Sequence, residues 1–232
     1  MKKILFYISL FFATTLNAQH LFTYTVSTEI DYSSIDVKQV EAMMKKVEKE
    51  LHNFEFELYI ENQEAYFSIK QRLKPGCTPQ NIWSIANALV YSDEKWYYNH
   101  ENNIQLSQRD FMGEYFLIDT SHKEHNWQLI KESKVVNGYK AYKATSTRKF
   151  IGSNGVKEEE VVAWYCPDLA YSYGPFEFGG LPGLVVELQM QTVTYRLTKY
   201  KREKRNIKKP ERGKHISEHD FFEKADTAVK RF

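Results

Sequence analysis

The chain has 232 residues, 42% hydrophobic and 15% aromatic, which is ample material for a packed core and excludes a disordered polymer. Its 32 basic and 30 acidic residues leave a formal charge of only +2, so no overall field argues for nucleic acid, and past the N-terminus no run is apolar enough to span a bilayer. Without Lys2 and Lys3 the charges balance, yet Lys199 to Lys214 holds nine basic and two acidic residues. That surplus suits an anionic surface such as the phosphates of lipopolysaccharide, or a solvated loop.

Lys2 and Lys3 precede an uncharged apolar run from Ile4 to Leu16, followed by Asn17-Ala18-Gln19. This is the plan of a secretory signal over residues 1–19, with cleavage expected after Ala18 or Gln19 and a periplasmic or secreted product. No cysteine near that point offers a thiol for a lipid anchor. Residues 20–232 contain no Pro/Ser-rich linker and read as one β-rich domain with a basic segment at 199–214.

Thr, Tyr and Val are dense from Leu21 to Ile30, a first strand. Asp36 is placed to cap a helix whose apolar face is Val37, Val40, Met43, Met44, Val47 and Leu51. Phe54 to Ile60 alternates with period two, and Ala65 to Arg72 answers it across Glu61-Asn62-Gln63-Glu64, predicting a hairpin with one face in water. Thr78 and Pro79 open a short helix carrying Ile82, Ile85, Ala86 and Leu89. Strands follow at Lys95 to Asn99, Ile104 to Gln108, Gly113 to Asp119 and Trp127 to Glu132. Asn154-Gly155 predicts a type I′ turn between arms Tyr139 to Ile151 and Val156 to Cys166, with Lys149 facing Glu160. Strands from Leu184 to Met190 and Val193 to Lys201 come next, and Ser217 with Asp220 opens a closing helix bearing Phe221, Phe222, Ala225 and Val229. The expected fold is mainly β: a single antiparallel, strongly curved sheet with one to three short helices. Element order and compartment liken it to the half-open barrel of periplasmic lipoprotein carriers, with a β-sandwich and a closed barrel as the alternatives.

Gly179-Gly180-Leu181-Pro182-Gly183-Leu184 dictates backbone rather than chemistry. Pro182 presets φ for the second turn position and Gly183 supplies positive φ at the third, the pattern of a type II turn. Ala163-Trp164-Tyr165-Cys166-Pro167 and Gly174-Pro175-Phe176-Glu177-Phe178 precede it. This order resembles the GLPGLI family of Bacteroidetes envelope proteins. The resemblance runs from Asn126-Trp127 through Asn137-Gly138-Tyr139-Lys140 and Lys143-Ala144-Thr145 to Leu188. It departs at Val185, where the family name has Ile, and in a longer insertion holding Ser153-Asn154-Gly155. Membership implies a secreted, β-rich protein whose biochemical role is not assigned.

Trp164, Tyr171, Tyr173, Phe176 and Phe178 crowd the approach to Leu181, Pro182, Gly183 and Leu184. Two readings are open: a core plug, or a groove for an acyl chain or an envelope partner's apolar segment. Cys77 and Cys166, two cysteines in an exported chain, are expected to form a disulfide. His122 with His125 and His215 with His219 give short spacings that would clamp zinc or copper if the pairs met, a runner-up to solvated surface. Glu158-Glu159-Glu160 cannot converge on one bond, because neighbours on a strand point to opposite faces. No Ser-hydrolase elbow, HExxH helix or phosphate-cradling glycine loop is present. The leading expectation is thus a cofactor-free, non-enzymatic protein that binds an apolar ligand or an envelope protein partner through the curved sheet and the Tyr171 to Leu184 loop. The alternatives are metal handling and a structural envelope component.

Overall fold

Twelve strands and three α-helices organise the described residues, which in this computed structural model are 19–71, 74–121 and 125–231. The expected signal segment up to Ala18, Arg72 and His122 lie outside them. In chain order the elements are β1 (Gln19–Thr28), α1 (Lys38–Leu51), β2 (Glu55–Glu61), β3 (Glu64–Ile69), α2 (Gln80–Leu89), β4 (Lys95–Asn99), β5 (Ile104–Phe111) and β6 (Glu114–Asp119). Then come β7 (Gln128–Val136), β8 (Tyr139–Gly152), β9 (Gly155–Cys166), β10 (Leu184–Met190), β11 (Val193–Arg202), β12 (Lys214–Ser217) and α3 (Glu218–Val229). No described helix is long and apolar enough to cross a membrane.

All strands share one sheet in the order β12-β6-β5-β4-β3-β2-β1-β11-β10-β9-β8-β7. The expectation of a purely antiparallel sheet is corrected at its edge, where β12 runs parallel to β6. Residues 203–213 cross the outside of the sheet before β12 begins, and the strand enters at the end of β6 that makes the two run alike. The sheet does not close by hydrogen bonds: β12 and β7 are its free edges. It nevertheless bends far enough for α3 to contact both β6 and β9, which lie toward opposite ends of the order. Phe221 and Phe222 of α3 share one apolar cluster with Phe116 and Ile118 of β6 and with Ile151 and Val156 from the β8–β9 hairpin.

The register of that hairpin differs from the sequence expectation. Gly152 pairs with Gly155, so Ser153-Asn154 form the turn and Lys149 faces Glu158, not Glu160. Gly155 keeps its positive φ, +111°, but spends it at the start of β9, where Val156 N donates to Asp226 Oδ1 at 2.9 Å. Helix starts differ too. Val37, not Asp36, is the N-cap of α1, and Thr78 leaves the cap of α2 to Pro79 while its hydroxyl donates to Glu50 Oε2. Ser217 caps α3 as expected, accepting from Asp220 N at 3.1 Å.

The hairpin expected to be half in water is buried on both faces along β2. Phe56, Leu58 and Ile60 enter the main core with Val47 and Leu51 of α1 and Ile82 and Ala86 of α2. Glu57 and Tyr59 point the other way and are covered by the crossing segment. Tyr59 Oη donates to the Arg205 carbonyl and accepts from Arg205 N, both at 2.8 Å, and Ile207 packs against the cluster of Tyr97, Leu106 and Leu117.

Candidate functional site

The chain between β9 and β10 folds back on itself through backbone hydrogen bonds. Leu184 N donates to Leu169 O at 2.9 Å, Val185 N to Tyr173 O at 3.0 Å and Gly180 N to Ser172 O at 3.0 Å. Glycines allow the closeness. A β-carbon on Gly174 would meet Phe178 O at 2.1 Å, and one on Gly179 would meet Ser172 O at 2.7 Å. The expected type II turn is not what forms at Leu181-Pro182-Gly183-Leu184. Gly183 N bonds Leu181 O at 2.8 Å, a three-residue turn about Pro182, because Leu184 N is already committed to Leu169. The expected positive φ of Gly183 is present, at +148°.

Phe176 takes a left-handed backbone, φ +53°, which aims its ring into the core against Phe67 at 4.8 Å and Tyr195 at 4.9 Å between centroids. Phe178, Leu181, Gly183, Leu184 and Tyr173 are buried as well, the arrangement of a plug. Pro182 is exposed. Tyr171 stands at the margin, its hydroxyl 2.9 Å from His20 Nε2, while His20 Nδ1 meets Tyr200 Oη at 2.8 Å. Burial, then the nearby Arg202 charge, holds the His20 imidazole below its ordinary pKa. Trp164 does not join this group. Its ring lies under the Lys134 ammonium at 4.2 Å, beside the ion pairs Glu187 makes with Lys134 and Arg196.

The disulfide is overturned. Both thiols are free, Cys166 buried at the end of β9 and paired across the sheet with Leu184, Cys77 exposed in the turn before α2. The four-histidine clamp is not assembled among the described residues. His125 packs against Phe178, with ring centroids 5.1 Å apart, whereas His215 lies on β12 and His219 on α3, both exposed. His219, Asp220 and Glu223 can bring ligand atoms within 4.8 Å of one another, all on exposed surface.

Beside the plug is a cleft of about 340 Å³ lined by Tyr98 and Gln105 of β4 and β5, His100 from their turn, His125 and Trp127, and Ser172, Glu177, Gly179 and Gly180 of the loop. Two hydrogen bonds tie its walls together: Trp127 Nε1 donates to Gly179 O at 3.0 Å and His125 Nε2 to Glu177 O at 2.9 Å. Tyr98 Oη and Gln105 Nε2 are buried with no hydrogen-bond partner among the described residues. The same holds for Tyr173 Oη, whose ring stacks on His100 at 4.5 Å and meets Tyr98 edge-on at 5.8 Å. Burial pushes the Tyr98 phenol well above its ordinary pKa, with the Glu177 charge adding to it, so Tyr98 stays protonated and able to donate. Sequence reasoning missed this cleft because its walls come from four separated segments. The visible signal was Glu177, a carboxylate set between two phenylalanines in an apolar loop.

The family profile described as "Protein of unknown function (Porph_ging)" matches residues 151–187, from the tip of the β8–β9 hairpin through the plug into β10. Two structures of PNGF-II, in space groups P21 and C2, are similar over 91% of this chain, with TM-scores of 0.54 and 0.55 at 14% and 12% identity. The chain spans about a third of their length, 34% and 33%, and at such identity the likeness is one of fold. No curated protein matches its sequence.

Proposed function

We propose that the chain is an exported, non-enzymatic binding protein that seats a small polar ligand, or a polar segment of an envelope partner, in the cleft between Tyr98 and Glu177. The observation that carries this is that Tyr98 Oη and Gln105 Nε2, on residues that face each other across β4 and β5, line one cleft, both buried and unpartnered among the described residues. A buried polar group left bare costs about 1 to 3 kcal/mol, and a ligand rich in acceptors would offset that cost. Glu177 adds a buried carboxylate and Trp127 a ring, so the cleft has both a polar floor and an aromatic wall. An acyl chain suits it less well. Reaching Phe176 or Phe178 would mean opening a loop closed by its own backbone bonds. Export rests on the Lys2 to Gln19 pattern.

Native mass spectrometry of protein purified from its own envelope tests the reading. A small polar adduct is expected on the natural chain and not on a Tyr98→Phe, Gln105→Leu double variant of unchanged fold. An adduct that the double variant retains, or a chain bare in every preparation, overturns it. A lipid mass would favour the apolar reading instead.

A further inference from the structure

The basic segment sorts into two sets once its partners are known. Lys199 pairs with Glu55 at 3.0 Å, Lys201 and Arg205 with Glu203, Arg205 also with Glu57, and Lys214 with Glu114. Of these, Arg205–Glu57 and Lys201–Glu203 tie residues 203–213 to the outer face of the sheet as a strap, and Lys214–Glu114 fixes the strand that follows it. Its ends are pinned by backbone bonds: Arg205 to Tyr59 on one side, and the Arg212 carbonyl, accepting from Gln108 Nε2, on the other. Between the pins the strap arches, leaving a cavity of about 530 Å³. Lys208, Lys209 and Arg212 overhang it, Lys95 of β4 stands at its side, and Tyr66, Gln108 and Tyr115 line the sheet beneath. Lys95, Lys208 and Lys209 make no ion pair among the described residues, and the Arg212 guanidinium lies 3.7 Å over the Tyr115 ring. Glu211 is the one carboxylate in the lining. Four cations thus face one pinned cavity while Lys199, Lys201, Arg205 and Lys214 are spent on internal pairs.

We propose that this cavity is a binding site for phosphoryl groups, taking a multiply charged phosphate through Lys95, Lys208, Lys209 and Arg212. Ammonium groups suit a phosphate as point charges, and the planar Arg212 fork adds directional donors. The site lies on the opposite face of β4 and β5 from the cleft of Tyr98 and Gln105, so it stands whether or not that cleft is occupied. The same phosphoryl chemistry is offered by a soluble pyrophosphate and by a lipid headgroup, and two experimental arms separate them.

Calorimetric titration with pyrophosphate at low salt should give one saturable site per chain. A Lys208→Ala, Lys209→Ala variant should weaken it about thirtyfold, from roughly a fivefold loss per cation. An Arg202→Ala, Lys204→Ala variant, which removes the same charge near the strap's first pin, should leave it unchanged. Equal weakening by both variants, or no saturable binding, overturns the site. Sedimentation with anionic phospholipid vesicles is the second arm. Co-sedimentation that pyrophosphate displaces assigns the phosphate to a headgroup, and pyrophosphate binding without co-sedimentation assigns it to a soluble ligand. Co-sedimentation that pyrophosphate does not displace overturns the site in favour of diffuse surface attraction.

Discussion

The Gly183 α-carbon lies so near the Cys166 carbonyl that a β-carbon added to it would stand 2.2 Å from that oxygen. Gly183 also holds φ +148°, so a side chain meets backbone strain and a steric wall together. Gly183→Ala should therefore cost about 3 kcal/mol, visible as a lower denaturant midpoint at unchanged slope. A variant as stable as the natural chain would remove the close approach from the account.

Two neighbours in the same loop should behave in opposite ways. Phe176 is 1% exposed among Phe56, Phe67, Tyr91 and Tyr195, so Phe176→Ala should cost about 3 to 5 kcal/mol. Exposed Pro182, which fills no cavity, should lose less than about 1 kcal/mol as Pro182→Ala. Chemical unfolding of the pair checks the plug, and equal costs would contradict it.

With no bond between Cys77 and Cys166, reductant should leave the melting temperature unchanged. A thiol reagent should label exposed Cys77 in the native protein and buried Cys166 only after unfolding. Mass spectrometry of the labelled chain reads both sites, and two blocked thiols before reduction would restore the crosslink.

His20 gives the protein an acid sensitivity. Its folded pKa lies below the ordinary 6.5, so the unfolded chain takes up a proton more readily than the folded one. The stabilisation is complete above pH 6.5 and fades as pH falls through the folded value, meaning that stability rises with pH across that window. An NMR titration of His20 should report a pKa under 6.5. His20→Asn should flatten the stability profile over the same range, and an unchanged profile would assign the sensitivity elsewhere.

The strands most legible in sequence were those bounded by turn residues. Lys95 to Asn99 and Leu184 to Met190 are found at the expected limits. Less legible was anything that depended on a second segment arriving from afar. Glu57 and Tyr59 alternate with apolar neighbours as if facing water, and only the strap buries them. Four-residue β12 has no hydrophobic period to reveal it, because it is an exposed edge held by backbone bonds to β6. Cysteine parity failed for a related reason: it counts thiols but not the sheet that carries Cys166 into the interior. The plug was readable from its glycines and rings. The cleft was not, since no local pattern links Tyr98 and Gln105 to Trp127 and Glu177.

β1 sits inside the sheet between β2 and β11, with His20 opposite both Ile60 and Arg202. One flank of the first strand is thus completed by β2, the next strand in the chain, and the other by β11, which emerges only after β3 to β10. Until β11 arrives, a growing chain carries an open strand edge in what will become the middle of its fold, and the loop to be closed is among the longest the molecule makes. The sheet is therefore complete around its first strand only once β11 has been made. This also makes the late-arriving β11 segment the place where a truncation would most surely leave an aggregating remnant.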